Sequence, residues 1–165
     1  MNKPLINAAL FQLGWFACVL GGDAIAVAAL LVVLAIHYQY FSRKPFEWLF
    51  IAGVGLTGLA VDTMMAWSGV MQFEFPSIGL IPIWLLCLWI MFALTLNHSL
   101  QWLQSKLWLA ALLGGVSGPM SYLAGSKLAP VSLLDPVAYS LLPISLCWAL
   151  LLPLMFYVLR SDSNE

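Results

Sequence analysis

The chain has 165 residues, of which 63% are hydrophobic and 8% charged, and six Lys+Arg against seven Asp+Glu leave a formal net charge of −1. A soluble domain carries about 45–50% apolar and about 25% charged residues, so water is not the solvent for most of this surface. The near-neutral balance provides no basic footprint for phosphate backbones, which excludes nucleic acid as a partner.

A helix needs about 20 apolar residues to cross the hydrocarbon core. Such runs extend over Pro4 to Gly21, Asp23 to Phe41, Pro45 to Trp67, Pro82 to Trp102, Leu107 to Gly125 and Pro136 to Leu159. The expected fold is therefore all-α: a six-transmembrane-helix bundle forming one integral membrane domain over residues 1–165. Segments of about ten residues alternating in polarity, the mark of a membrane β-barrel, are lacking. The first run, with Lys3 before Leu5 to Leu20 and small residues at Ala24 and Ala26, has the outline of a secretory signal. Equally apolar segments follow it, so it reads as a retained span. Trp15 and Phe16 also stand where a lipoprotein signal before Cys18 wants small or aliphatic residues. Within this span Gln12 is expected to bond a neighbouring helix. Asp23, after Gly21-Gly22, is placed to cap the second span. His37, beside Tyr38 and Tyr40, reads as an interfacial residue at the inner boundary. Pro4, Pro45, Pro82 and Pro136 fall at span starts, where a missing N–H costs nothing, and Asp135 is placed to cap the last span.

The third span contains GVGLTGLAVD, in which Gly53, Gly55 and Gly58 match a dinucleotide fingerprint. That fingerprint works only where a strand turns into a helix and presents free N–H groups to a pyrophosphate. Inside a span the backbone must bond to itself, so the nucleotide reading fails. On a helix, Gly55, Gly58 and Asp62 fall within about 60° of one another, with Gly53 opposite. The small residues admit a neighbouring helix closely, and Asp62 stands beside that contact. An acid within a span costs about 2.5–3.5 kcal/mol on insertion scales and marks a functional site by default. The plainer reading is an interhelical hydrogen bond to Ser117, Ser121 or Tyr122. The outer connection MQFEFPSIGLIP, Met71 to Pro82, carries Phe73, Glu74 and Phe75 and is expected to lie at the interface.

In the fourth span, Asn97 and His98 lie in the inner half, where His98 is able to carry a proton, bind a headgroup or simply donate a hydrogen bond. The fifth span contains GGVSGPMSYLAG, whose Gly114, Gly118, Ser121 and Gly125 form a second small-residue stripe bordered by Ala111 and Tyr122. Pro119 removes a backbone donor there and frees a carbonyl, and Pro143 and Pro153 do the same in the sixth span. Gly115 to Gly118 also match the GxSG of rhomboid proteases, but Ser117 and His98 differ in depth by roughly 9 Å, too far for a nucleophile and its base. Cys18, Cys87 and Cys147 lie apart in apolar runs and read as packing residues, and neither a metal nor a cofactor is expected.

Basic residues are retained on the cytoplasmic side. Six spans with both termini cytoplasmic put Lys3, Arg43, Lys44, Lys106 and Arg160 inside and Lys127 outside, with Trp48, Trp102 and Trp108 at the inner headgroups and Trp67 and Trp84 at the outer. Taken together, FQLGWFACVLGG, GLAVD, PIWLLCLWIMFALTLNHSLQWL and GGVSGPMSYLAG resemble a family of small bacterial inner-membrane proteins catalogued only as a domain of unknown function. The resemblance covers nearly the whole chain. It implies a multi-pass protein of the bacterial inner membrane, and the gene neighbourhoods of some relatives, which contain enzymes similar to cyclopropane-fatty-acid synthases, imply a lipid-related role.

The leading functional expectation is a membrane protein that binds or moves a lipid-like or other small molecule in a cavity between the third and fifth spans. Asp62 would be its anchor, with Gly55, Gly58, Ser117, Ser121, Tyr122, Asn97 and His98 as companions. Two alternatives stand beside it. One is a lipid-modifying enzyme using Asp62, Asn97 and His98 for acid–base chemistry. The other is a structural subunit whose small-residue face packs on a partner protein or a second copy.

Overall fold

The computed structural model describes residues 2–74 and 79–162. Phe75, expected at the interface, lies outside the described residues. Among the described residues five α-helices form: α1 (Lys3–Tyr40), α2 (Pro45–Trp67), α3 (Ile83–Leu96), α4 (Leu107–Leu128) and α5 (Ala138–Asp162). Two three-residue strands, β1 (Met71–Phe73) and β2 (Val131–Leu133), pair antiparallel with Gln72 opposite Ser132. Four helices, α1, α2, α4 and α5, are long and apolar enough to cross a membrane. Their outward faces carry large apolar side chains such as Leu13 at 69% exposure and Leu49 at 73%. Contiguous apolar surface of this kind belongs against lipid tails.

The element count differs from the six runs read in the sequence. The first two runs form one element, α1, interrupted at Gly22 (φ 67°, ψ −171°). That backbone region is open essentially to glycine alone. Three polar pairings show what the interruption does. Asn7 Nδ2 donates to the Leu94 carbonyl (3.0 Å) at the C-terminal end of α3. Asp23 Oδ1 accepts the Trp84 N–H (2.9 Å) at the N-terminal end of α3. His37 lies beside His98, with ring centroids 5.0 Å apart, at the C-terminal end again. A straight helix would separate Asn7 from His37 by about 45 Å, so the chain reverses at Gly22 and α1 has two legs that both run along α3.

Asp23 thus caps the first turn of α3 and not its own leg, because the reversal leaves it facing the free N–H groups of that neighbour. Gln12 faces outward, and the amide that bonds between helices is Asn7, 4% exposed. Trp84, expected in the outer belt, is buried. α3 stops at Leu96, six residues before the expected end at Trp102: Asn97 leaves the helix at φ −98°, ψ 7°, and the Asn7 amide has already taken the Leu94 carbonyl. At 14 residues it rises about 21 Å, short of the hydrocarbon thickness. α5 begins at Ala138, past the expected Pro136.

The chain divides into two compact units, residues 1–64 with 75–99, and residues 65–74 with 100–165. In the first, the glycine face of α2 receives α3. A Cβ at Gly58 would overlap the Trp89 indole, and one at Gly55 would press on Ile90 at 3.1 Å. In the second, the α4 stripe receives α5: a Cβ at Gly114 would lie 2.5 Å from the Trp148 carbonyl oxygen, and one at Gly118 would overlap the Trp148 ring. Gly55 and Gly58 on α2, and Gly114 and Gly118 on α4, are each covered from within their own unit, whereas a Cβ at Gly125 would meet nothing within 4 Å among the described residues. Pro119 sits inside α4, and the carbonyl it leaves without a helical donor, that of Gly115, accepts a hydrogen bond from Ser145 Oγ of α5 (2.6 Å).

Candidate functional site

The polar centre of the first unit is built at the C-terminal end of α3. The last turn of α1 ends on the His37 carbonyl, which accepts the N–H of Phe41 (2.9 Å) and of Ser42 (3.1 Å). Pro45 opens α2 with its φ preset, so Glu47 falls in the first turn, where the positive end of the helix dipole favours an anion. His98 follows α3 by two residues, its N–H bonded to the Thr95 carbonyl (3.1 Å). Asn7 fastens the chain on either side of it, donating to Leu94 and accepting the N–H and the hydroxyl of Ser99 (3.3 and 2.7 Å).

These anchors bring three side chains together. Glu47 Oε1 lies 3.1 Å from His37 Nε2 and 2.7 Å from His98 Nε2. The side chains of His37 and Glu47 keep 2% and 5% of their surface exposed, and His98 keeps 18%, so His98 forms the open edge of the cluster. Aromatic rings wall it in. Phe41 stacks on His37 at 5.5 Å and meets His98 edge-on at 5.1 Å, and Trp48 stands edge-on to His37 at 5.6 Å. Trp48 Nε1 is buried and has no hydrogen-bond partner among the described residues. Arg43, the nearest arginine in sequence, is turned away: its guanidinium bonds the Tyr38 carbonyl and Gln39 Oε1 and lies over the Tyr38 ring. Among the described residues no Lys or Arg makes an ion pair with Glu47. The ligand atoms of His37, Glu47 and His98 all lie within 4.8 Å of one another, a grouping of donor types that hold a metal ion, and each Glu47–histidine contact is short enough for a hydrogen bond.

Of the residues singled out in the sequence, His98 belongs to this cluster, and Asn97 precedes it as the C-cap of α3. Asp62 is fully buried and accepts the Trp89 indole N–H at 2.6 Å. It lies 15 positions beyond Glu47 on α2, about 22 Å along the axis. One small substrate does not touch both Asp62 and His98, so the grouping of Asp62, Asn97 and His98 is divided by the fold. Gly55 and Gly58 are filled by α3. Ser117, Ser121 and Tyr122 belong to the second unit. Ser117 is exposed and donates to the Leu113 carbonyl of its own helix (2.7 Å), and Ser121 and Tyr122 are half-buried on α4. The second unit also has an open groove of about 420 Å³ beside the strand pair, lined by Gln72, Glu74 and Pro130 among others.

Glu47 was not distinguished by the sequence reading, and His37 was read as merely interfacial. The available signal is depth: the end of the second apolar run, the start of the third and the end of the fourth each carry one of the three residues.

No curated protein and no solved structure matches the chain. The family model described as "Protein of unknown function (DUF2878)" matches residues 4–154, and with nearly the whole length covered, the chain belongs to that family.

Proposed function

We propose that this is a six-crossing protein of the bacterial inner membrane, with both termini cytoplasmic, that holds a lipid-like amphiphile with its polar end at the His37–Glu47–His98 cluster. The crossing count is supported by the reversal of α1 at Gly22, which supplies two legs where the helix assignment counts one. With α3 taken as a short crossing, Lys3, Arg43, Lys44, Lys106 and Arg160 fall on one side and Lys127 on the other, as retention of basic residues in the cytoplasm requires.

The observation that supports the ligand reading is a buried polar cluster beside one end of α3, most exposed, among its three members, at the His98 edge. A molecule that reaches that edge from the bilayer is apolar along most of its length and polar at one end. Trp48 Nε1 beside His37, without a partner among the described residues, is a donor for an oxygen of such a molecule. Asp62, committed to Trp89, is a structural tie in this reading, and the anchoring role moves to the cluster.

Native mass spectrometry of the protein extracted in mild detergent tests the reading. Co-purifying lipid is expected on the wild type and on Asp62→Asn, and a loss of about tenfold is expected on His98→Ala, corresponding to about 1.4 kcal/mol of binding. An identical lipid complement on wild type and His98→Ala overturns it. Topology is read separately, by labelling single cysteines at positions 3, 44 and 127 in a cysteine-free background with an impermeant maleimide. Positions 3 and 44 are expected on one side and 127 on the other; positions 3 and 44 on opposite sides would refute the double leg.

A further inference from the structure

We infer that His37, Glu47 and His98 form a binding site for one divalent first-row transition cation, ligated by the two imidazole Nε2 atoms and the Glu47 carboxylate. The three ligands come from three separate segments: the last turn of α1, the first turn of α2 and the chain just past α3. They nonetheless converge to within 4.8 Å. A tetrahedral ion with metal–ligand bonds of about 2.0–2.2 Å sets neighbouring ligand atoms about 3.3–3.6 Å apart. The contacts of Glu47 Oε1, 3.1 Å to His37 and 2.7 Å to His98, have to open to that spacing, and the widest pair, within 4.8 Å, has to close to it by up to about 1.5 Å shared between two side chains.

Charge points the same way. A buried carboxylate needs a compensating positive charge, and among the described residues neither lysine nor arginine pairs with Glu47. A divalent ion supplies it and displaces the protons that the two Nε2 atoms would otherwise place against Oε1. Two imidazoles with one carboxylate select the zinc and iron class over magnesium or calcium, which prefer oxygen ligands throughout. The supporting shell is already rigid. Phe41 and Trp48 fix the plane of His37, and Asn7 holds the backbone on either side of His98. Such outer contacts orient metal ligands. With three protein ligands, a fourth position remains on the exposed side of His98, as in sites where a metal meets water or substrate. The cation site stands on its own geometry; only the identity of the fourth ligand rests on the amphiphile reading above.

The test uses the full chain in detergent, tag removed, stripped with chelator and then loaded with Zn²⁺ or Co²⁺. One equivalent of metal by elemental analysis is expected, with the intense visible absorption of low-symmetry cobalt. His37→Ala and Glu47→Ala are each expected to weaken cobalt binding by at least about tenfold. Because those buried positions bear on folding, His98→Asn and His98→Cys are measured beside them at the partly exposed position. The asparagine variant is expected to lose the metal, and the cysteine variant to regain it with a thiolate-to-cobalt charge-transfer band. Stripped wild type that keeps its helical circular dichroism and takes up no cobalt overturns the inference, as does equal uptake by wild type and His98→Asn. Metal content is scored independently of lipid: metal retained with no bound lipid refutes the amphiphile reading alone, and lipid retained with no metal refutes this site alone.

Discussion

Replacing Gly58 with alanine adds one methyl group at the point where α2 meets α3. The new Cβ would overlap Trp89 at Cγ and Cδ2, the root of the indole ring. A ring root moves only with its backbone or by a change of rotamer. Trp89 is 2% exposed and is flanked by Phe92 at 6.4 Å, so little room exists for either. Overpacking of this kind costs about 1–3 kcal/mol. If the indole swings away, its hydrogen bond to Asp62 (2.6 Å) is lost as well, and a bond to a carboxyl group contributes about 1.5–3 kcal/mol. Alanine regains about 1 kcal/mol over glycine in helix propensity, leaving a net loss of about 1.5–5 kcal/mol when the bond is lost. Gly53, five positions earlier and about 140° around the helix, supplies the control: among the described residues nothing lies within 4 Å of a Cβ built there, so Gly53→Ala is expected to be neutral or to stabilise by up to about 1 kcal/mol. Equilibrium unfolding by SDS in a fixed detergent, followed by far-UV circular dichroism, compares the two. In a Trp89→Ala background the penalty at Gly58 should largely vanish, as coupling through a shared contact requires. Equal stabilities of Gly58→Ala and Gly53→Ala, within about 0.5 kcal/mol, would refute this account of the interface.

The remaining predictions concern polar ties. Asp23→Ala removes the cap on the first turn of α3 and is expected to cost about 0.5–2 kcal/mol, with Asp23→Asn largely preserving stability in the same unfolding assay. Ser145→Ala strips the Gly115 carbonyl of its donor, and an interhelical bond in lipid is worth about 0.6 kcal/mol on average with a ceiling near about 1.7; a loss within that range is expected, together with faster amide exchange around Gly115. Ser140 Oγ donates to the Val70 carbonyl and accepts the Leu134 N–H, so Ser140→Ala leaves two backbone groups unsatisfied and is expected to cost about 2–4 kcal/mol. Ser140→Thr keeps the hydroxyl and is expected to lose less.

Much of the architecture was legible because the bilayer imposes a one-dimensional rule: a segment that crosses must be apolar for long enough and must satisfy its own backbone. Length and hydropathy therefore identified an all-α membrane protein, placed Pro45 at the head of a helix and located the break near Gly22. The same rule made the nucleotide fingerprint untenable at Gly53, and the helical period correctly set Gly55, Gly58 and Asp62 on one face. It did not say which helix fills that face. Trp89 and Ile90 of α3 do so, and the Trp89 indole N–H donates to Asp62. The Asp23 cap likewise went to a neighbour, because a tight reversal exposes a side chain to whatever element lies beside it.

The sequence by itself determined the apolar character of the surface and the helical class, since composition and period are properties of the chain alone. Only the tertiary structure decided which residues meet. His37, Glu47 and His98 are separated by 10 and 51 positions, and nothing in their spacing joins them. They converge because the chain turns back at Gly22, Pro45 starts a helix on the same side, and Asn7 holds the chain flanking His98 from a third segment.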